Sequence, residues 1–130
     1  MSDGTKVLIL DTAEKLFAEQ GIDAVSLRSI TTQAGVNLAA INYHFRSKEL
    51  LVQEVFARRL RPLNEERLML LENAEAKAGA DPLRVEVVLR ALFEPAIRLS
   101  SDPERGYIFL RICGRIWSEP SLRTSKIFDD

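Results

Sequence analysis

The residues best suited to chemistry lie in one stretch, SLRSITTQAGVNLAAINYHFRSK, from Ser26 to Lys48. The chemistry they suit is recognition rather than bond breaking. Asn42 can pair bidentately with an adenine edge, and Ala39 and Ala40 can touch a thymine methyl. Tyr43 can reach a phosphate through its hydroxyl. Arg46 and Lys48 follow at the start of another expected helix, where backbone amides also favour phosphate. His44, the single histidine, falls in the same stretch. It reads as a phosphate neighbour or a local structural donor.

Little else in the chain suggests a reaction. HExxH, paired CxxC, GxGxxG, GxxxxGK and GxSxG patterns are all absent, and these are the spacings that metals, nucleotides and nucleophiles require. The 19 acidic and 18 basic side chains are a normal complement for solvated helix faces. The sequence therefore predicts no catalytic residue, no metal site and no cofactor. Cys113 is the single cysteine. It cannot form an internal disulfide, which fits a reducing cytoplasm. On an apolar helix face it reads as a small buried hydrophobe. No stretch is long and apolar enough to span a bilayer, and no secretory signal is visible.

Three helices must position the stretch. Ser26 is a good N-cap, since its hydroxyl can accept from a first-turn amide. Leu27, Ile30 and Ala34 then recur at helical spacing. Gly35 tolerates positive φ and lets the chain reverse. The second helix runs from Leu38 to His44. At 100° per residue, Ile41 and Phe45 point nearly the same way, whereas Ala39, Ala40 and Tyr43 point away from them. An apolar inner face and a small-residue outer face would let this helix approach a groove. Ahead of it, Ile9, Ala13, Leu16 and Phe17 form the inward stripe of another helix, closed by Gly21.

Taken together, these residues resemble the DNA-binding domain of the TetR/AcrR family of bacterial transcriptional regulators. The resemblance is carried by Ile9, Ala13, Leu16-Phe17 and Gly21, by Ser26-Leu27-Arg28 and Ile30, by Ala34-Gly35-Val36, and by Tyr43-His44-Phe45, Ser47-Lys48-Glu49 and Leu51. It implies an all-α fold. A three-helix helix-turn-helix DNA-binding domain would occupy residues 1–50, and a partial, truncated ligand-binding and dimerisation domain residues 51–130. Ser26, Leu27, Arg28, Asn37, Leu38, Ala39, Ala40, Asn42, Tyr43, His44 and Lys48 would face DNA. A tyrosine is common in the family where this chain has Asn42, so the phosphate-contacting aromatic is assigned to Tyr43. The run NLAAINYHF also resembles a fatty-acid-responsive subgroup. The implied partners are a double-stranded DNA operator, a second copy in the full-length form, and a small apolar effector such as a fatty acid or acyl-CoA, with no membrane. A helical protein–protein adaptor built on the same unit is the alternative.

Charge qualifies this reading. The net charge is −1, unusual for a nucleic-acid binder. Residues 24–61, however, hold Arg28, Arg46, Lys48, Arg58, Arg59 and Arg61 against only Glu49 and Glu54. Arg58, Arg59 and Arg61 read as a solvated helix face. Hydrophobic content of 46% and charged content of 28% describe an ordinary globular chain.

Beyond residue 47 the sequence predicts a long fourth helix, capped by Ser47 and disturbed by Pro62. A fifth is expected from the Asp81-Pro82 start signal and a sixth from Ser101-Asp102-Pro103-Glu104, with another beginning near Leu122. Phe93, Ile97, Tyr107, Phe109, Ile112, Ile116 and Trp117 read first as helical core. The resemblance adds the reading that they wall an apolar ligand pocket.

Overall fold

The computed structural model describes residues 3–118, without the side chains of Ile116 and Trp117. Those two pocket candidates and the helix expected near Leu122 therefore lie outside the described residues. Among the described residues every regular element is a helix: α1 (Asp3–Gln20), α2 (Leu27–Ala34), α3 (Leu38–Phe45), α4 (Lys48–Ala78), α5 (Val85–Ser100) and α6 (Gly106–Ser118).

Local chemistry sets the first boundaries. Gly21, at φ 87°, ends α1, and its amide donates to the Phe17 carbonyl at 3.0 Å. Ser26 opens α2 with a reciprocal pair of bonds. Its hydroxyl accepts from the Ser29 amide at 3.0 Å, and the Ser29 hydroxyl accepts from the Ser26 amide at 3.1 Å. This is a capping box with serine in the place more often held by glutamate. Gly35 closes α2 at φ 68°, a left-handed conformation that costs a side-chain-bearing residue free energy. Asn37 then caps α3, its Oδ1 accepting from the Ala40 amide at 2.9 Å. Ser47 caps α4 by accepting from the Leu50 amide at 3.2 Å.

The core is one cluster. Ile9, Ala13, Leu16 and Phe17 of α1 meet Ile30 of α2, Ile41 and Phe45 of α3, and Leu51, Val55 and Phe56 of α4. Ile112 of α6 belongs to the same cluster. Nearby, the Arg111 Nε donates to the Ala18 carbonyl at 2.9 Å, satisfying one of the acceptors left over at the end of α1. The core of the three-helix head thus runs on into α4 and α6.

The α4 helix continues through Pro62, and α5 through Pro95. Both helices carry on despite the missing amides, with Pro95 buried and Pro62 exposed. The start of α5 differs from expectation. The chain stays non-helical through Arg84, which precedes Val85 with β-region angles and no side-chain cap.

The arginines of α4 correct the sequence reading. Arg61 is exposed, but Arg58 and Arg59 are not a solvated face. Both bind Glu14 of α1, which is 2% exposed. Arg59 grips it bidentately, through Nε at 2.6 Å and a terminal nitrogen at 3.0 Å. Arg58 bonds Glu14 and also reaches Asp11 at 2.8 Å. The Glu14 hydrogen bond is the main cause that raises the Arg59 pKa above its ordinary value. We expect Glu14→Ala to destabilise the protein by about 2–3 kcal/mol. That is below the ~3–5 kcal/mol for breaking a fully buried pair, because water reaches both arginines. Urea unfolding of the variant checks it. A loss equal to that of an exposed α1 substitution such as Lys15→Ala would show the cluster to be energetically idle.

Candidate nucleic-acid interface

The proposed reader, α3, is held on three sides, since it packs against α1, α2 and α4. Ile41 and Phe45 are buried, at 0% and 3% exposure. Tyr43 is 67% and Leu38 51% exposed, and Asn37, Ala39 and Asn42 are exposed with them. An uncharged outer face of one leucine side chain, a methyl, a phenol and two amides is therefore turned to solvent.

Three of the residues expected to face DNA need correction or refinement. Ala40 is buried, at 5% exposure, and does not belong to the outer face. With three neighbouring helices the buried arc of α3 is wide, and it takes in Ala40 beside Ile41. Leu27 is half-buried and packs against the core, so its side chain is spent on folding. The Nε2 of His44 is buried without a hydrogen-bond partner among the described residues, so that atom is not presented outward. The His44 ring instead meets the Tyr43 ring edge-on at 5.0 Å, in keeping with a local structural role.

The remaining candidates frame the outer face. Ser26 and Arg28 are exposed at the start of α2, and Lys48 is half-buried at the start of α4. Arg46, exposed, joins α3 to α4 at φ 67°, a conformation uncommon for a side-chain-bearing residue. Lys6 of α1 escaped sequence reasoning. Its ammonium lies 5.8 Å from the centre of the Phe45 ring and 3.8 Å from Glu54. It is 39 positions away along the chain, and no local signal could have placed it there.

The second set of candidates does not converge in the same way. Phe93 and Ile97 are 53% and 63% exposed. The inner side of α5 is formed by Ala91 and Pro95, so the bulky side of that helix faces out. Phe109 and Ile112 are buried, and Ile112 packs in the head core. Tyr107 lines a cleft between α1 and α6 with Lys15, Arg59 and Ile108. Phe93, Ile97, Tyr107, Phe109 and Ile112 thus do not wall a common apolar pocket. The core reading holds for Phe109 and Ile112 only. Burial pushes the Cys113 thiol up from its ordinary value, which disfavours the reactive thiolate. Among the described residues no group of His, Cys, Asp and Glu is placed to hold a metal ion, and no helix is long and apolar enough to cross a membrane.

Residues 9–55, the span of α1 to early α4, match the family model for bacterial regulatory proteins of the tetR family. In its sequence the head is thus similar to regulators of that family. Along the sequence, the chain is 37% identical over 109 residues to the HTH-type transcriptional regulator AcrR of Shigella flexneri, covering 83% of this chain and 47% of that protein. It is 40% identical over 52 residues to the HTH-type transcriptional repressor KstR2 of Rhodococcus jostii, covering 40% of this chain and 26% of that protein. The chain accordingly spans about half the length, or less, of these curated relatives. In fold it resembles a crystal structure described as a transcriptional regulator from Pseudomonas aeruginosa, with TM-score 0.55, 26% identity and coverage of 95% of this chain and 56% of the other. A similar structure from Streptomyces coelicolor gives TM-score 0.52 at 26% identity, covering 92% and 65%. These relatives are regulators of transcription rather than enzymes.

Proposed function

We propose that this chain is the DNA-reading head and part of the helical base of a sequence-specific transcriptional repressor. The observation that carries this reading is the outer face of α3, on which Leu38, Ala39, Asn42 and Tyr43 stand exposed while Ile41 and Phe45 anchor the helix from behind. In the full-length protein two such heads sit in successive major grooves of a palindrome, about one helical turn apart. Pairing is needed on electrostatic grounds. Phosphate neutralisation supplies most non-specific affinity, and α3 carries no formal charge outside His44. Two linked heads make up the deficit through effective concentration. The protein acts in the cytoplasm and responds to a small-molecule effector, whose binding changes the spacing of the heads through differential affinity for two arrangements.

Within this reading the side chains divide their work. Lys48, at the positive end of α4, contacts phosphate, and Lys48→Ala weakens binding to all sequences alike, lowering the salt slope by about one per head. Asn42 reads a base edge, and Asn42→Ala costs about 1–3 kcal/mol of discrimination at a single base pair in each half-site. Selection of bound DNA from a random pool with the full-length protein, followed by titrations at several salt concentrations, tests both. Uniform losses from both substitutions on every sequence would refute the division. Absence of any salt-sensitive DNA binding would favour the adaptor instead.

A further inference from the structure

Arginine is concentrated where α4, α5 and the turn before α6 meet. A cleft of about 310 Å³ is lined there by Arg58 and Arg59 of α4, Arg98 of α5 and Arg105 of the turn. Pro62, Leu63, Pro95 and Leu99 supply its apolar lining, and Glu66 and Asp102 are its two carboxylates. Both carboxylates are already engaged. Glu66 pairs with Arg98 at 2.5 Å. Asp102 accepts the backbone amides of Glu104 and Arg105 at 2.9 and 2.8 Å.

The guanidiniums are undersupplied by comparison. Each carries about five N–H donors, far more than the bonds that hold Arg58, Arg59 and Arg98. The Nε of Arg58 is buried without a partner, and the Arg105 charge acts on the neighbouring Asp102 carboxylate, which its own and the Glu104 backbone amides already occupy. A buried donor left unpaired costs free energy that an added acceptor would recover. Planar guanidinium forks match carboxylate and phosphate oxygens bidentately. The prolines and leucines would cover the apolar body behind such an anionic head. At about 310 Å³ the cleft sits at the small end of ligand sites, which selects a compact molecule.

We propose that this cleft binds a compact organic oxyanion, a carboxylate or phosphate carried on a small apolar body, and that the anion competes with Glu14 for Arg58 and Arg59. Glu14 is the buried α1 group that ties the head to α4. An anion drawing the two arginines toward the cleft loosens that tie. The binding site stands independently of DNA recognition; only the consequence for DNA rests on the function proposed above.

Calorimetric titration of the purified chain with benzoate, benzamide and inorganic phosphate tests the site without DNA. Benzoate is expected to bind at one site, with benzamide and phosphate each about tenfold weaker or more, a difference of ~1.4 kcal/mol. Arg105→Gln and Arg98→Gln each weaken benzoate about tenfold. Asp11→Asn, at an exposed position, releases part of the hold on Arg58 without disturbing the core. It tightens benzoate severalfold, as does Glu14→Gln if circular dichroism shows it folded. Equal affinity for benzoate and benzamide would overturn the proposal. So would phosphate binding as tightly as benzoate, an unchanged Arg105→Gln, or a weakened Asp11→Asn. DNA titrations with and without benzoate then examine the consequence separately. A failure there with intact benzoate binding would leave the site standing and remove only its link to the head.

Discussion

Replacing Phe17 with alanine is expected to cost about 3–5 kcal/mol of stability, the usual range for emptying a buried aromatic site. Phe17 is 1% exposed and belongs to the cluster built from α1, α2, α3, α4 and α6. A cavity left there cannot close by moving one helix, because four others are packed on the same cluster. Net stabilities of small domains are only about 5–15 kcal/mol, so most of the margin would go. Urea denaturation followed by circular dichroism measures it. Leu89→Ala, on the exposed side of α5, is the control and should change stability by about 0.5 kcal/mol or less. A Phe17→Ala loss no larger than that of the control would mean that the cluster is not the source of the fold's stability.

What the sequence made legible was local. Ser26, Gly35, Asn37 and Ser47 each act within three or four residues of themselves, through caps and a left-handed turn. Their types alone announce those roles. The division of α3 into an inner side at Ile41 and Phe45 and an outer side at Ala39 and Tyr43 was also legible, because helical geometry fixes relative directions. The width of the inner side was not. It depends on how many helices surround α3, and Ala40 changed sides because three do. Partners distant along the chain were hidden for the same reason. Glu14 meets Arg58 and Arg59 across 44 and 45 positions, and no pattern within a single helix separates a buried glutamate so held from a solvated one. Arg58 and Arg59 looked like a surface face until α1 was laid across them.

The exposed side of α5 teaches the converse. Leu89, Phe93 and Ile97 follow one another at four-residue spacing, which any reading of periodicity takes as an inward stripe. Periodicity identifies which residues share a face. It does not say which face is covered among the residues at hand. On α5 the small residues Ala91 and Pro95 turn inward, permitting close approach of α4.

Introducing a carboxylate on the outer face of α3 is expected to abolish DNA binding while leaving the head folded. Ala39 is the position for it. It is exposed beside Leu38, Asn42 and Tyr43, and glutamate is nearly as good a helix former as alanine. Ala39→Glu should therefore leave the unfolding midpoint close to that of the parent. On the proposed operator complex the new carboxylate meets the phosphates and the acceptor-rich edges of the groove. Like charges forced together in an interface cost several kcal/mol. With one such group in each of two heads, affinity for the selected operator should fall about a hundredfold or more. Ala39→Ser adds one hydroxyl and no charge, and should stay within about threefold of the parent. Gel-shift titration at fixed salt compares the three proteins. Undiminished binding by a folded Ala39→Glu would place the nucleic acid somewhere other than on α3, and with it the reading of this helix as the recognition element would go.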